Sequence, residues 1–150
     1  MKVFLGSDHN GFYLKDRLFA YLAKYKYEVV DISGGKELDP EDDFPEFAQS
    51  VAIKVLGEDD SRGILLCGSG QGMAMAANRF NGIRAAVVWD AHEAKMTRRD
   101  NDSNVLCLSA RAFESQDDAV WQGIVETWLN TEFTNAPRFR RRNKQLDEIS

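Results

Sequence analysis

The sequence predicts a Rossmann-like three-layer α/β sandwich, with a five-stranded parallel sheet and an additional C-terminal helix. Short apolar runs alternate along the chain with longer segments in which apolar residues recur at helical spacing. Because each connection is long enough to contain a helix, the strands are expected to run parallel and to be covered on both faces. The chain has 150 residues, of which 43% are hydrophobic, so we expect a single domain over residues 1–150.

The first half of the chain predicts two strands, each followed by a helix. Apolar runs at Lys2–Gly6 and Glu28–Ile32 have the length and composition of strands. Between them, apolar and aromatic side chains at helical spacing mark one face of a first helix: Leu14, Leu18, Tyr21, Leu22 and Tyr25. The polar, acidic loop Ser33–Asp43 leads to a second helix with a similar inner face: Phe44, Phe47, Ala48, Val51, Ala52, Val55 and Leu56.

The second half predicts three more pairs of a strand and a helix. The strands are Gly63–Cys67, Ala85–Trp89 and Val105–Leu108, and the helices lie near Met73–Phe80, Ala91–Arg99 and Ser115–Asn130. We expect the strand order 2-1-3-4-5, in which the chain changes direction across the sheet between the first and third strands. Ligands of such sheets bind at this switch point, outside the carboxyl ends of the strands.

Two loops with reactive or polar side chains are expected to meet at that switch point. The first strand leads into Gly6-Ser7-Asp8-His9-Asn10-Gly11, and the third leads into Cys67-Gly68-Ser69-Gly70-Gln71-Gly72. Three glycines let the second loop turn tightly and bring N–H groups close to an anion, and the helix that follows adds positive potential. The same surroundings favour a thiolate over a thiol, so Cys67 is a candidate reactive group.

Each of these groups also has a purely structural interpretation. A cysteine at a strand end is often a small buried hydrophobic residue, which we expect of Cys107. Asp8 would cap the following helix, and His9 would be solvated. Glycine loops also bind nucleotides, but this one lacks the final spacing of GxGxxG and the lysine of a P-loop. A thiol hydrolase using Cys67, His9 and Asp8 is a further alternative, although adjacent side chains tend to point apart.

Basic side chains cluster near the C-terminus. Arg138 and Arg142 share one face of a helix at i,i+4 spacing, which allows two guanidinium groups to grip one phosphate. The alternative is a solvated helix that balances acidic surface elsewhere, and we expect this of Arg140 and Arg141.

Composition excludes several classes of function. The net charge of -5 argues against a general nucleic-acid binder. The two cysteines lie far apart and form neither a disulfide framework nor a metal-binding pattern, so no metal is expected. The apolar run at the N-terminus is too short for a signal peptide, and no later run is long enough to span a bilayer. We therefore expect a cytoplasmic protein that binds neither nucleic acid nor membrane.

Several motifs follow one another along nearly the whole chain: Gly6-Ser7-Asp8-His9, Asp43-Phe44-Pro45, Cys67–Gly72, Ala76-Ala77-Asn78-Arg79 and Asn101-Asp102-Ser103-Asn104-Val105. Together with Arg138 and Arg142, they resemble the type B ribose-5-phosphate isomerases and the related galactose-6-phosphate isomerase subunits. The resemblance implies aldose–ketose isomerisation of a phosphorylated sugar through an enediolate, without a metal or an organic cofactor.

The resemblance also implies which groups carry out the chemistry. Cys67 matches the base that removes and returns the proton, which a thiol can do when its surroundings favour the thiolate. Ser69 matches the hydroxyl that helps to move protons between the two sugar oxygens. Four backbone N–H groups would hold the developing oxyanion: those of Gly68, Gly70, Gln71 and Gly72.

Further positions match the family's residues for substrate binding and assembly. Asp8 matches a position near the sugar hydroxyls, and four residues match the phosphate-binding side of the site: His9, Arg111, Arg138 and Arg142. In this family the segment around Asn101 reaches into a neighbouring subunit. The resemblance therefore implies a homodimer or tetramer with shared active sites, in which residues 134–150 form a segment for phosphate binding and oligomerisation.

Three positions depart from the family pattern and bear on the substrate. Asp100 stands where members that open a furanose ring have histidine, Phe139 stands where histidine is common, and Phe44 stands at a usual tyrosine position. A tetrose 4-phosphate cannot close a five-membered ring, because its O4 carries the phosphate. We therefore expect a tetrose phosphate or another open-chain substrate. The alternatives are ribose 5-phosphate, if Asp100 takes over ring opening, and a non-catalytic protein that binds sugar phosphates.

Overall fold

Within residues 1–149, which a computed structural model describes, five parallel strands form one sheet. The strands are β1 (Lys2–Ser7), β2 (Glu28–Asp31), β3 (Ser61–Cys67), β4 (Ala85–Val87) and β5 (Val105–Ser109). Their order is β2-β1-β3-β5-β4, and every neighbouring pair is parallel. Helices cover both faces, so the prediction of an α/β sandwich around a five-stranded parallel sheet is confirmed.

The predicted order of the last two strands is wrong. β5 pairs with β3, whereas β4 lies at the edge of the sheet and pairs only with β5. The cause is burial: Val105–Leu108 is apolar and buried on both faces, whereas β4 has three half-buried residues, as suits an edge strand. The switch point is unaffected, because β1 and β3 remain neighbours, with Gly6 opposite Leu65 and Ser7 opposite Leu66.

Seven α-helices connect or follow the strands over the same described range: α1 (Phe12–Leu22), α2 (Phe44–Gly57), α3 (Gln71–Ala77), α4 (Ala91–Asn101), α5 (Ala110–Phe113), α6 (Asp118–Asn130) and α7 (Pro137–Asp147). The helix predicted at Ser115–Asn130 is shorter, because Asp117 caps α6 by accepting a 2.8 Å hydrogen bond from the N–H of Ala119. None of the helices described is long and apolar enough to cross a membrane.

Alternate side chains of the strands build two separate cores. On one face, β1, β3 and β5 pack against α1, α4, α5 and α6, and the core includes the buried indoles of Trp121 and Trp128. On the other face, the same strands pack against α2 and α3. Cys67 and Cys107 both belong to this second core, with exposed fractions of 5% and 0%. Cys67 alone ends its strand and opens a loop, so only its sulfur lies at the carboxyl edge of the sheet.

A buried ion pair holds the end of β2 against α1. Lys15 is 2% exposed, and its Nζ lies 2.8 Å from Oδ2 of Asp31 and donates to the Ser33 hydroxyl at 3.1 Å. Burial alone would raise the pKa of Asp31, but hydrogen bonds from Lys15 and Ser33 outweigh burial and lower this pKa. The acidic loop after β2 is thereby anchored close to the end of β1.

Candidate active site

The turn after β1 carries Asp8 and His9 directly onto β3. Oδ1 of Asp8 accepts hydrogen bonds from the N–H groups of Asn10 at 3.0 Å and Gly11 at 3.3 Å, which is the capping role that the sequence allows. A Cβ on Gly11 would lie 2.8 Å from the Leu66 carbonyl oxygen, so only glycine permits this approach. Asp8 is 5% exposed, and burial raises the pKa of its carboxyl group.

His9 is paired with a carboxylate that sequence reasoning missed. Its ring Nδ1 lies 2.7 Å from Oδ1 of Asp42, and its backbone N–H donates to the same oxygen at 3.0 Å. The hydrogen bond with Asp42 is the main reason that the pKa of His9 is raised. The only signal in the sequence is the acidic run Glu41-Asp42-Asp43, which does not indicate which carboxylate turns toward the sheet.

The loop after β3 places an N–H donor on the Cys67 sulfur. Gly70 has a φ of +76°, in the left-handed region, and its N–H donates to Sγ of Cys67 at 3.0 Å. The N–H of Gln71 donates to the Ser69 hydroxyl at 3.2 Å. Two of the four N–H groups expected to hold an oxyanion are therefore already engaged, and those of Gly68 and Gly72 are the remaining candidates. α3 has only seven residues, so the positive potential at its start comes mainly from the unpaired N–H groups of its first turn.

Phe44 and Arg111 flank this loop. A Cβ on Gly72 would lie 2.8 Å from Cζ of Phe44, which means that the phenyl ring rests on the Gly72 backbone. The carbonyl of Gly68 accepts a hydrogen bond from the N–H of Arg111 at 3.2 Å. The hydroxyl of Ser109 donates to the same carbonyl at 2.8 Å and fixes the start of α5. Asp8, His9, Phe44, Arg111 and the Cys67–Gly72 loop thus share the carboxyl edge of the sheet.

The other predicted residues lie at the opposite edge. α4 starts beyond the carboxyl end of β4 and runs back, so its end at Asp100 and Asn101 lies at the amino edge, before β5 begins. The carbonyl of Asn101 accepts a 2.8 Å hydrogen bond from Nε of Arg84, the residue directly before β4. The side-chain amide of Asn143 on α7 donates to the carbonyl of Asp100 at 3.1 Å. Within one copy of the chain, neither residue meets Cys67.

The arginines of α7 belong to the same distant group. The guanidinium carbons of Arg138 and Arg142 lie 4.5 and 5.8 Å from the centroid of the Phe139 ring, so the same aromatic ring contacts both cations. α7 packs against α4, and Asn143 is its buried residue. The predicted pairing of the two arginines on one face is therefore present, at a distance from the carboxyl-edge residues.

Neither edge contains an arrangement suited to a metal ion. Among residues 1–149, no group of three or more His, Cys, Asp or Glu side chains is placed to hold one. The chemistry available at the carboxyl edge is that of a thiol, a hydroxyl, a carboxylate, an imidazole and backbone N–H groups.

Comparison with known proteins assigns the family. The sequence model of the family described as ribose/galactose isomerase matches residues 3–146. Ribose-5-phosphate isomerase B of Escherichia coli is 37% identical over 132 residues, which cover 88% of this chain and 85% of that protein. The corresponding protein of Mycolicibacterium paratuberculosis is 34% identical over 148 residues, covering 99% and 91%.

Solved structures agree with the sequence matches. A ribose-5-phosphate isomerase B from Clostridium thermocellum superposes with a TM-score of 0.90 at 41% identity, covering 99% of this chain and 97% of that one. The enzyme from Mycoplasma genitalium with bound ribulose-5-phosphate gives a TM-score of 0.88 at 37% identity, covering 97% and 93%. The resemblance inferred from the motifs is confirmed, and the chain belongs to the ribose/galactose isomerase family of sugar-phosphate isomerases.

Proposed function

We propose that this sugar-phosphate isomerase uses Cys67 as the base that transfers a proton between the two carbons of an aldose–ketose pair. The observation that carries the proposal is the 3.0 Å hydrogen bond from the Gly70 N–H to Sγ of Cys67. A donor at this distance stabilises a thiolate more than a thiol, since hydrogen bonds to charged acceptors are stronger. Cys107 has no such donor, and burial raises the pKa of its thiol well above the ordinary value.

In the proposed reaction, the thiolate takes the proton from the carbon beside the carbonyl. The C–H electron pair becomes the C=C bond of an enediolate, and the carbonyl oxygen becomes an oxyanion. N–H groups of Gly68 and Gly72 are the proposed donors to that oxygen. Ser69 passes a proton between the two sugar oxygens, Asp8 binds sugar hydroxyls, and the Cys67 thiol returns its proton to the neighbouring carbon.

Replacement of Cys67 by alanine tests this role. Loss of a positioned base costs about 10²–10⁴-fold in rate, so Cys67→Ala is expected to lose isomerisation and solvent-deuterium incorporation to that extent. Cys107→Ala is the matched control, because it removes the other thiol from the same core and leaves the loop untouched. Deuterium incorporation by Cys67→Ala at the wild-type rate would refute the proposal. Binding without exchange in the wild-type protein would favour a non-catalytic binder, and an acyl adduct on Cys67 would favour a thiol hydrolase.

We further propose that two copies of the chain complete each active site. The carboxyl-edge residues lack the cations of α7, and the amino-edge group of Asn101, Arg138 and Arg142 lacks the Cys67 thiol. A second copy related by a twofold axis would place its amino edge against the carboxyl edge of the first copy, and the reverse. Each dimer would then contain two complete sites. Such a shared site accounts for the family's motifs lying at opposite ends of the same sheet.

Mixing two defective variants tests the shared site. Cys67→Ala and Arg142→Ala are each expected to be impaired, but mixed dimers keep one intact site. Random pairing makes half of the dimers mixed, so about one quarter of wild-type activity is expected to return. Cys67→Ala mixed with Ser69→Ala is the control: both changes lie in the same loop and no intact site can form. Absence of recovery in the first mixture, although mass measurement shows exchanged dimers, would refute sharing.

The substrate that we propose is a tetrose phosphate or another open-chain sugar phosphate. Asp100 supplies no imidazole for ring opening, and its side chain has no hydrogen-bond or ion-pair partner among residues 1–149. Ribose 5-phosphate is the alternative, supported by the names of the relatives. We expect a higher kcat/KM for tetrose 4-phosphates than for ribose 5-phosphate. Asp100→His is expected to raise turnover of ribose 5-phosphate, and Asp100→Asn is not. A wild-type enzyme that prefers ribose 5-phosphate to every tetrose phosphate would refute the proposal.

A further inference from the structure

His9 makes two contacts with a single oxygen of Asp42. The ring Nδ1 lies 2.7 Å from Oδ1, and the backbone N–H donates to the same atom at 3.0 Å. An ionised carboxylate only accepts hydrogen bonds, so Nδ1 carries a proton in this contact. Because Nε2 is on the other side of the imidazole, the contact leaves Nε2 free to face a ligand. The ring is about one-third exposed, whereas the Asp42 side chain is 16% exposed.

We propose that Asp42 is a positioning residue that orients the His9 ring and keeps it cationic, so that Nε2–H binds the phosphate group of the substrate. The proposal rests on the proposed function, because it takes the ligand of this site to be a phosphorylated sugar. The hydrogen bonds of the Asp42 carboxylate within residues 1–149 go to His9. Its effect on catalysis would therefore come through substrate affinity, with little change in the rate of the proton transfer.

The charges around His9 favour the cationic ring. Asp8 and Asp39 add to the effect of Asp42, and all three carboxylates raise the pKa of His9. The elements packed against the turn bring little opposing charge. α5 carries only Arg111, and Arg62 lies near the far end of β3. The charged groups of α1 are Lys15 paired with Asp31, Arg17 paired with Asp118, and Asp16. The pocket beside Asp42 adds one cation, Lys36, and two carboxylates, Glu37 and Glu46.

The direction of the pH effect follows from these contacts. A raised pKa keeps His9 protonated to a higher pH, so the cationic donor persists over a wider pH range than an isolated imidazole would allow. Asp42→Asn keeps the shape of the side chain but removes the charge. The pKa of His9 is then expected to fall, and phosphate affinity is lost at a lower pH than in the wild-type protein.

An NMR titration of the full chain measures this directly. The sequence has only two histidines, so His92 on α4 is an internal reference for His9. We expect Asp42→Asn to lower the titration midpoint of His9 and to leave His92 unchanged. Glu41→Gln is the matched control, because it removes the same charge from the neighbouring, exposed position and should move neither midpoint. A wild-type His9 that shows a proton on Nε2 alone at neutral pH, or an unchanged midpoint in Asp42→Asn, would overturn the proposal.

Affinity measurements separate positioning from a structural role. For Asp42→Asn we expect KM to rise about three- to tenfold at a pH between the two measured His9 midpoints, with kcat nearly unchanged, and to rise little below both midpoints, where the ring is protonated in either protein. An equal rise at both pH values would overturn the proposal. Inorganic phosphate should shift the His9 resonances of the wild-type protein whether or not the chain proves to be an isomerase. Failure of that shift would count against Asp42 positioning, whereas absence of turnover would count only against the proposed reaction.

Discussion

Gly70→Ala is the substitution that tests the loop geometry most sharply. The residue has a φ of +76°, and its N–H is the donor to Sγ of Cys67. A Cβ at this position would lie 3.1 Å from the carbonyl carbon of Leu108 and 3.2 Å from its oxygen. These are backbone atoms of β5, which cannot rotate away as a side chain could, so the loop itself has to move.

Two costs add up in the folded state. The left-handed conformation costs an alanine about 1–2 kcal/mol, and crowding against the strand adds about 1 kcal/mol. We therefore expect the free energy of unfolding to fall by about 2–3 kcal/mol. Displacement of the N–H removes a hydrogen bond to the thiolate, which contributes about 1.5–3 kcal/mol. The corresponding loss in kcat/KM is about 10- to 150-fold.

Urea unfolding and the isomerase assay measure the two effects separately. Gly68→Ala is the control for stability: the atoms nearest to its Cβ would belong to the Asn10 side chain, at 3.6–3.7 Å, and its φ lies outside the left-handed region. We expect Gly68→Ala to change the free energy of unfolding by no more than about 0.5 kcal/mol. If Gly70→Ala proves as stable as Gly68→Ala, or retains the wild-type kcat/KM, the reasoning from this loop is wrong.

Three further predictions concern the scaffold. Lys15→Met leaves Asp31 without its cation and should destabilise the protein by about 3–5 kcal/mol near neutral pH. Because the pKa of Asp31 is lowered below its ordinary 3.8, this difference should shrink as the pH falls through the folded-state pKa, as urea unfolding at several pH values would show. Gly11→Ala would clash with the Leu66 backbone and should lower Tm and isomerase activity together. Gly123→Ala, with no atom within 4 Å of the new Cβ, should raise stability by about 0.5–1 kcal/mol; a lower Tm would contradict this.

Local patterns predicted most of the fold correctly. The alternation of apolar runs and helical faces depends on residues a few positions apart, so all five strands and the main helices could be identified from the sequence. The predicted helix at Ser115–Asn130 begins only at Asp118, as α6, and the short helix α5 at Ala110–Phe113 was not predicted. A capping side chain decides such a boundary, since Ser109 caps α5 and Asp117 caps α6.

Contacts between segments that are distant in the sequence were harder to predict. The pairing of His9 with Asp42 joins residues 33 positions apart, and any of three consecutive acidic residues could have supplied the carboxylate. The helical spacing of Arg138 and Arg142 was correct, but spacing does not indicate the edge of the sheet at which a helix lies. The direction of α4 and its contact with α7 decide that, through the hydrogen bond from Asn143 to Asp100.

The family, the parallel sheet and the two loops at the ends of β1 and β3 could be predicted from the amino-acid sequence, because short motifs and local periodicity carry that information. The order of β5 and β4, the partner of His9 and the placement of the predicted site residues at two edges of the sheet became apparent only from the folded structure. Each of these depends on small differences in burial and charge, summed over segments that the chain brings together only when it folds. The Cys67 loop shows both levels: its glycines are evident in the sequence, but the donor to its sulfur is defined by the backbone geometry of Gly70.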